Sequence, residues 1–221
     1  MILIAIPKSA STSLMKTLSK IHSIKGVQLF QEYRNNDIPE DSNFLHKIHS
    51  DIKELTDKDV ENFENANILF KQHVFPSAGN IKKLGSHKKV VLLREVDDIL
   101  LAYKRGAKTM VQNLLEGFDA NWTDKQWLDH SEKIGLRSDL NKFYQGWVNF
   151  KDDDNTIIIE YKDLLNSPKL VVNQVEDFLG LPKTADTIYL VKARYSRASK
   201  AELFFQHFKK FLARNLIYKN K

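Results

Sequence analysis

A short stretch near the start of the chain combines one lysine with four hydroxyl side chains. Its residues are Pro7, Lys8, Ser9, Ala10, Ser11, Thr12 and Ser13. Small side chains let an anion approach backbone N–H groups, the hydroxyls can add hydrogen bonds, and the lysine adds a positive charge. This chemistry suits a phosphate or sulfate group. The same residues could instead form a serine/threonine helix cap beside a solvated lysine, and their spacing alone does not choose between the two.

The order of these residues differs from the nucleoside-triphosphate loop GxxxxGK[ST], because the stretch has no glycine and its lysine precedes the hydroxyls. Arg94 follows the apolar run 90–93, where a phosphoryl-transfer enzyme of similar layout would often carry a metal-holding aspartate. A positively charged side chain at this position favours binding of a second anionic group of the ligand. Asp97 and Asp98 follow closely, so a magnesium-dependent nucleotide or small-molecule kinase stays open as an alternative.

Four short apolar runs lack the alternation of half-exposed strands, and helical patterns separate them, which is typical of buried parallel strands. They are residues 2–6, 68–70, 90–93 and 156–159. Residues 97–115 begin with two carboxylates, and residues 168–179 begin with Pro168 and end before Gly180, so both are predicted as helices. We therefore predict one α/β domain over residues 1–221, a three-layer fold with a central, mainly parallel sheet flanked by helices.

This fold places the stretch 7–13 at the carboxyl end of the first strand and before a helix. Open α/β sheets bind ligands beyond the carboxyl ends of their strands, where a helix N-terminus offers N–H groups and a positive dipole. The predicted architecture and the residue types thus both indicate an anion site.

The composition excludes several classes of site. The 221 residues include no cysteine, which excludes disulfide frameworks, thiolate metal sites and cysteine nucleophiles. No stretch approaches the roughly 18 apolar residues of a membrane span or forms a signal peptide, so we expect a cytoplasmic protein without a transmembrane segment.

The net charge of +6 is concentrated in residues 192–221, where nine Lys/Arg and one Glu give +8, leaving −2 elsewhere. That segment could contact nucleic acid, an anionic membrane or a phosphorylated small molecule.

Four segments resemble those of the sulfotransferases that use 3′-phosphoadenosine 5′-phosphosulfate (PAPS). Residues 7–12 are similar to the family's Pro-Lys-Ser-Gly-Thr-Thr loop, and residues 70–76, Phe-Lys-Gln-His-Val-Phe-Pro, are similar to its Lys-Thr-His-Leu-Pro stretch. The resemblance implies that the loop residues, Lys8 to Ser13, hold the 5′-phosphosulfate, that His73 is the general base and that Lys71 helps to neutralise the sulfuryl group. Ala10 replaces the usual glycine, and alanine is expected there only if its φ is negative.

The third segment begins at Arg94 and is similar to the family's Arg-Asn-Pro-Lys-Asp-Val-Ala-Val-Ser-Tyr, whose arginine and serine hold the 3′-phosphate. Ala102 occupies the serine position, so one hydroxyl contact worth about 1–3 kcal/mol is missing. The fourth segment, residues 159–168 with 178–182, resembles the Tyr-Glu-Asp-Leu and Phe-Leu-Gly-Leu-Pro signature and implies a donor-binding role for Tyr161.

The family's basic C-terminal loop has no literal counterpart in this sequence. Lys192 and Arg194 are candidates for its phosphate contacts, and a solvated basic face is the alternative. The apolar stripe of residues 204–216 is expected to dock on the domain core, with a subunit contact in a homo-oligomer or a membrane surface as alternatives.

The resemblance implies a P-loop NTPase-like fold and a metal-free, in-line transfer of a sulfuryl group from PAPS to a hydroxyl or amine of a small-molecule or glycan acceptor. An imidazole, whose ordinary pKa is about 6.5, can take the acceptor proton at neutral pH. Residues 31–65 and the aromatic residues between 116 and 147 could wall an acceptor pocket, although core packing is the commoner fate of such aromatics. These aromatics are Phe118, Trp122, Trp127, Tyr144 and Trp147.

A non-enzymatic module that binds anionic ligands or nucleic acid through the basic segment is the remaining alternative. It would need neither Lys8 nor His73. No recognised nucleic-acid motif occurs in the sequence, so we expect no nucleic-acid partner.

Overall fold

The computed structural model describes residues 1–28, 52–65, 67–109, 114–151, 153–184 and 187–191. Its centre is a five-stranded, all-parallel sheet with the order β2-β4-β1-β5-β6, and a short β3 also pairs with β4. The strands are β1 Ile2–Ala5, β2 Lys25–Gln28, β3 Ile52–Lys53, β4 Ile68–Val74, β5 Lys89–Leu93 and β6 Thr156–Glu160. All four apolar runs of the sequence are strands of this sheet.

Helices follow the strands in the order typical of α/β folds. They are α1 Ser11–His22, α2 Asp57–Phe63, α3 Ala78–Leu84, α4 Val96–Lys108, α5 Asp124–Lys133, α6 Leu136–Val148, α7 Tyr161–Asn166 and α8 Pro168–Leu179. Residues 168–179 form the predicted helix, which has Pro168 in its first turn and the left-handed Gly180 at its end. The other predicted helix ends at Lys108 instead of 115, where Thr109 turns its hydroxyl back onto the Arg105 carbonyl.

Both faces of the sheet are covered, so the strands are buried on both sides and carry no polar alternation. Ile2 and Ile4 point into a core beneath α2 to α6. Leu3 and Ala5 point into a second core beneath α1, α7 and α8. The predicted fold class, a central parallel sheet between two helical layers, is confirmed.

The edge strand β2 was not predicted from the sequence. It has only four residues, its first two are exposed and it contains Gly26, so it lacks the apolar run that marks the central strands. Within the described ranges, no helix is long and apolar enough to cross a bilayer.

Candidate active site

The carboxyl ends of β4, β1, β5 and β6 lie side by side at one edge of the sheet. The strand order places the loop after β1 between the ends of β4 and β5, which carry His73 and Arg94. Adjacent strands are about 4.8 Å apart, so these two strand ends flank the loop at a separation of about 10 Å. The topology thus brings together three segments that are far apart in sequence.

The loop itself has an unusual backbone. Lys8 and Ala10 both adopt left-handed conformations, with φ of 63° and 64°. The expectation that Ala10 keeps a negative φ is therefore wrong. A left-handed residue directly before right-handed helical residues turns successive N–H groups toward one side, as in anion-binding nests. Within this turn the buried Ser9 hydroxyl donates to the Ile6 carbonyl at 2.7 Å.

The N-terminus of α1 has no side-chain cap. Its N-cap residue is Ala10, which makes no side-chain cap hydrogen bond, and the first turn contains no acidic residue. The alternative of a serine/threonine cap is therefore wrong. The positive end of the helix dipole at the loop is not balanced by a carboxylate of its own first turn, which favours an anion at this place.

Lys71 and His73 lie on the α1 side of the sheet. Side chains alternate along β4, and Leu69 packs in the core beneath α1, so the residues two and four positions later share its face. Lys71 Nζ lies 3.5 Å from Thr12 Oγ1, which places the ammonium group against the loop. His73 Nδ1 lies 2.7 Å from the Ala5 carbonyl oxygen.

This contact with Ala5 determines the tautomer of His73. A carbonyl oxygen only accepts hydrogen bonds, so Nδ1 is the protonated nitrogen. In the neutral imidazole the lone pair is then on Nε2. The end of β4 is also held in place, because Trp147 Nε1 donates to the Val74 carbonyl at 3.0 Å. Gly146 packs so closely on Pro76 that an added Cβ would lie 2.4 Å from the ring.

Arg94 connects the end of β5 to the loop. Its Nη1 donates to the Lys8 carbonyl at 2.7 Å, and its guanidinium carbon lies 4.0 Å from the centre of the Tyr161 ring. Its Nε is buried without a hydrogen-bond partner, and the nearest carboxylate oxygen is Asp98 Oδ2 at 4.0 Å. Burial lowers the pKa of Arg94, whereas Tyr161 and Asp98 act in the opposite direction. Nη1 thus ties the end of β5 to the loop, whereas Nε is enclosed on the side of Asp98.

Two further tyrosines lie at this edge. Lys8 Nζ lies 5.0 Å from the centre of the Tyr103 ring, a cation–π distance. Tyr144 donates from its hydroxyl to Glu160 Oε1 at 3.0 Å. Burial and this hydrogen bond raise the pKa of Tyr144 to about 12. Tyr103 ends the third family-like segment and Glu160 lies in the fourth, but the sequence analysis assigned neither residue a role.

The aromatic residues of the 116–147 region divide into two groups. Phe118, Trp127 and Trp147 are buried in the core and do not line an open pocket. Trp122 and Tyr144 are partly exposed. The predicted phosphate contacts Lys192 and Arg194, the segment 204–216 and most of residues 31–65 lie outside the described residues. In the part of the chain that is described, no three His, Asp or Glu side chains cluster as metal ligands would.

Comparisons with known proteins agree with the fold. The Sulfotransferase domain family model matches residues 1–218. The mouse sulfotransferase SULT7A1 complexed with PAP aligns with a TM-score of 0.54 and 15% identity, over 84% of this chain and 59% of that one. A sulfotransferase from Alicyclobacillus acidocaldarius aligns with a TM-score of 0.55 and 14% identity, over 96% of this chain and 90% of that one.

Retinol dehydratase in complex with retinol and PAP is also similar, with a TM-score of 0.53 and 16% identity over 83% of this chain and 60% of that one. This chain thus spans about three fifths of the length of the mouse enzyme and of retinol dehydratase. Comparison with curated protein sequences finds no match. Because the family model covers nearly the whole sequence, the resemblance found in the motifs is confirmed: the chain belongs to the sulfotransferase domain family.

Proposed function

We propose that this protein transfers a sulfuryl group from PAPS to a hydroxyl or amine of an acceptor. The observation that carries the proposal is the convergence at one sheet edge of an uncapped helix N-terminus, His73 and Arg94. Family membership supports the reaction class, and two of the similar structures contain PAP, the desulfated donor 3′-phosphoadenosine 5′-phosphate.

The loop residues, Lys8 to Ser13, would hold the 5′-phosphosulfate. The backbone N–H groups at the start of α1 point toward the carboxyl edge of the sheet, and the hydroxyl of Thr12 lies beside the Lys71 ammonium group. PAPS, when bound, supplies a sulfuryl group on an oxygen that becomes negatively charged as the sulfur–oxygen bond breaks. Lys8 belongs to the loop and the Lys71 ammonium group lies against it, so both would stabilise the developing charge.

His73 would act as general base. Its Nδ1–H is held by the Ala5 carbonyl, so the ring is fixed with its basic Nε2 in the tautomer that accepts a proton. The proton of the acceptor hydroxyl or amine moves to Nε2 as the new sulfur–oxygen or sulfur–nitrogen bond forms. Arg94 and Tyr161, at the other side of the loop, would bind the 3′-phosphate end of the donor.

Substitution of His73 tests the proposal. A general base contributes about 10²–10⁴-fold to the rate, so His73→Ala should lower kcat by that factor. PAP affinity should change less than about threefold, because the imidazole does not hold the donor. His87→Ala is the matched control, since His87 precedes β5 at the opposite edge of the sheet.

Transfer of ³⁵S from labelled PAPS to a panel of phenols, alcohols and amines measures turnover. Calorimetry with PAP and with ATP–Mg²⁺ measures donor binding. Binding of PAP alone supports the donor assignment. Binding of ATP–Mg²⁺ in preference to PAP would favour the kinase alternative, and equal loss of turnover and PAP binding in His73→Ala would show that His73 is a structural or donor-binding residue.

A further inference from the structure

The ammonium group of Lys8 is held by an aromatic ring of the neighbouring helix α4. Lys8 Nζ lies 5.0 Å from the centre of the Tyr103 ring, and only 2% of Tyr103 is exposed to solvent. The face of an aromatic ring carries partial negative charge and attracts a cation within about 6 Å, most strongly where water is excluded. The contact is therefore a cation–π interaction with a buried ring.

The position of Tyr103 on α4 directs its ring toward the loop. The buried residues of α4 are Val96, Ile99, Leu100 and Tyr103, whose spacing of three and four residues forms one stripe that faces the core. The helix begins just beyond the end of β5, and long helical side chains lean toward the N-terminus of their helix. The ring of Tyr103 is therefore directed toward the carboxyl edge of the sheet, where the loop lies.

Lys8 is fixed at two points by the segment that runs from Arg94 to Tyr103. Arg94 Nη1 donates to the Lys8 carbonyl at 2.7 Å, which holds the backbone, whereas the Tyr103 ring holds the side chain. Lys71 approaches the same loop from β4, with its Nζ 3.5 Å from Thr12 Oγ1. The two ammonium groups are therefore positioned independently, one by α4 and the other by β4.

An aromatic ring suits this task better than a carboxylate. A carboxylate would fix a lysine by neutralising its charge, whereas a ring attracts the ammonium group and leaves the full positive charge available to an anion. A charge that is already in place when the sulfur–oxygen bond breaks needs no reorganisation, so it stabilises the transition state more than a mobile one does.

We propose that Tyr103 is a positioning residue for sulfuryl transfer, which holds the Lys8 ammonium group where negative charge develops on the donor. This proposal rests on the function proposed above and assigns a role to a residue that acts through Lys8 and not on the donor itself. The ring is the part of Tyr103 that performs this role, and the hydroxyl group is not required for it.

Two substitutions separate the ring of Tyr103 from its hydroxyl group. A buried cation–π contact corresponds to about a 5- to 30-fold change in rate, so Tyr103→Leu, which removes the ring, should lower kcat by that factor. Tyr103→Phe, which keeps the ring, should change kcat less than about twofold. The KM for PAPS should change less than about threefold in both variants, because the negative charge develops only in the transition state.

Phe63→Leu is the matched control for a lost aromatic ring. Phe63 is a buried residue of the same core at the opposite edge of the sheet, where its carbonyl accepts a hydrogen bond from the amino group of Met1. This substitution should change kcat less than about twofold. The rate is measured as ³⁵S transfer from labelled PAPS to the same panel of phenols, alcohols and amines or, where none of them accepts, to water.

A double-mutant cycle with Lys8→Met distinguishes positioning of Lys8 from general support of the core. Lys8→Met removes the charge and keeps a long side chain. If Tyr103 acts through Lys8, adding Tyr103→Leu to Lys8→Met should lower kcat no further, within about twofold. A full effect of Tyr103→Leu in the Lys8→Met protein would refute the proposal, because the ring would then act without the lysine.

The results also separate this proposal from the one on which it rests. If the wild-type protein transfers no sulfuryl group, the proposed function fails and the role of Tyr103 with it. If the wild type is active and Tyr103→Leu keeps its kcat, or Phe63→Leu or Tyr103→Phe lowers kcat equally, only the role of Tyr103 is wrong.

Thermal unfolding verifies that each variant is folded. If Tyr103→Leu does not fold, pentafluorophenylalanine at position 103 replaces it, because fluorination reverses the charge of the ring face at nearly the same volume. That variant should lower kcat as expected for the leucine variant, and a kcat equal to that of Tyr103→Phe would refute the proposal.

Discussion

The left-handed alanine at the start of α1 gives a direct test of the loop geometry. Ala10 has φ 64° and ψ 20°, a conformation that glycine adopts without penalty and that costs an L-residue about 1–2 kcal/mol. Ala10→Gly should relieve this strain. Ala78→Gly is the matched control, because Ala78 is exposed in the first turn of α3 and is not among the residues with positive φ.

The comparison of the two variants isolates the strain. Both substitutions increase the entropy of the unfolded chain by the same amount, so that contribution cancels in the difference between them. Ala10 packs against the core beneath α1, and its methyl group contributes less than about 0.8 kcal/mol. We therefore expect Ala10→Gly to be more stable than Ala78→Gly by about 0.5–1.5 kcal/mol. For a chain of this size the corresponding difference in Tm is about 1–6 °C.

Urea unfolding followed by circular dichroism, with thermal melts in parallel, measures both free energies of unfolding. Ala78→Gly should lose up to about 1 kcal/mol relative to the wild type, whereas Ala10→Gly should be close to the wild type or above it. If Ala10→Gly were destabilised as much as Ala78→Gly, Ala10 would not be left-handed in solution. The nest geometry of the loop would then be wrong.

Two further predictions concern the packing at the end of β4 and a carboxylate at the opposite edge of the sheet. Gly146→Ala should destabilise the protein by about 1–3 kcal/mol in urea unfolding, because the new methyl group would clash with the Pro76 ring. The control Gly79→Ala should not destabilise the protein, because its new methyl group would meet only ordinary contacts. Equal effects of the two substitutions would contradict the close packing of Gly146 on Pro76. Asp153 accepts a hydrogen bond from the Thr156 hydroxyl at 2.6 Å, which lowers the pKa of its carboxyl group. The ionised carboxyl group therefore stabilises the fold above about pH 4, and this stabilisation is lost as the pH falls further. Asp153→Asn should flatten the acid limb of a profile of stability against pH. An unchanged acid limb would refute the stabilising role of Asp153.

The site at the sheet edge has a structural consequence for the loop. Arg94 donates to the Lys8 carbonyl and stacks on Tyr161, so the residue proposed to bind one end of the donor also holds the loop that is proposed to bind the other end. A substitution of Arg94 would change both functions together.

Much of the fold could be predicted from local patterns. The four apolar runs became β1, β4, β5 and β6 because strands buried on both faces need uninterrupted apolar side chains. The α8 helix was predicted with its observed bounds, since Pro168 and Gly180 mark its ends by their own backbone preferences. The edge strand β2 was missed, because a short, half-exposed strand acquires its conformation from pairing with β4.

The sequence by itself determined the chemistry of the loop, the fold class and the order of the motifs, because residue type and apolar spacing are local properties. Only the tertiary structure decided which groups meet. The strand order placed the loop between His73 and Arg94, the Ala5 carbonyl determined the tautomer of His73, and the folded loop holds Ala10 in a left-handed conformation. Each of these depends on residues that are distant in the chain or on a backbone angle that alanine alone would not choose, and such constraints arise only when the sheet has assembled.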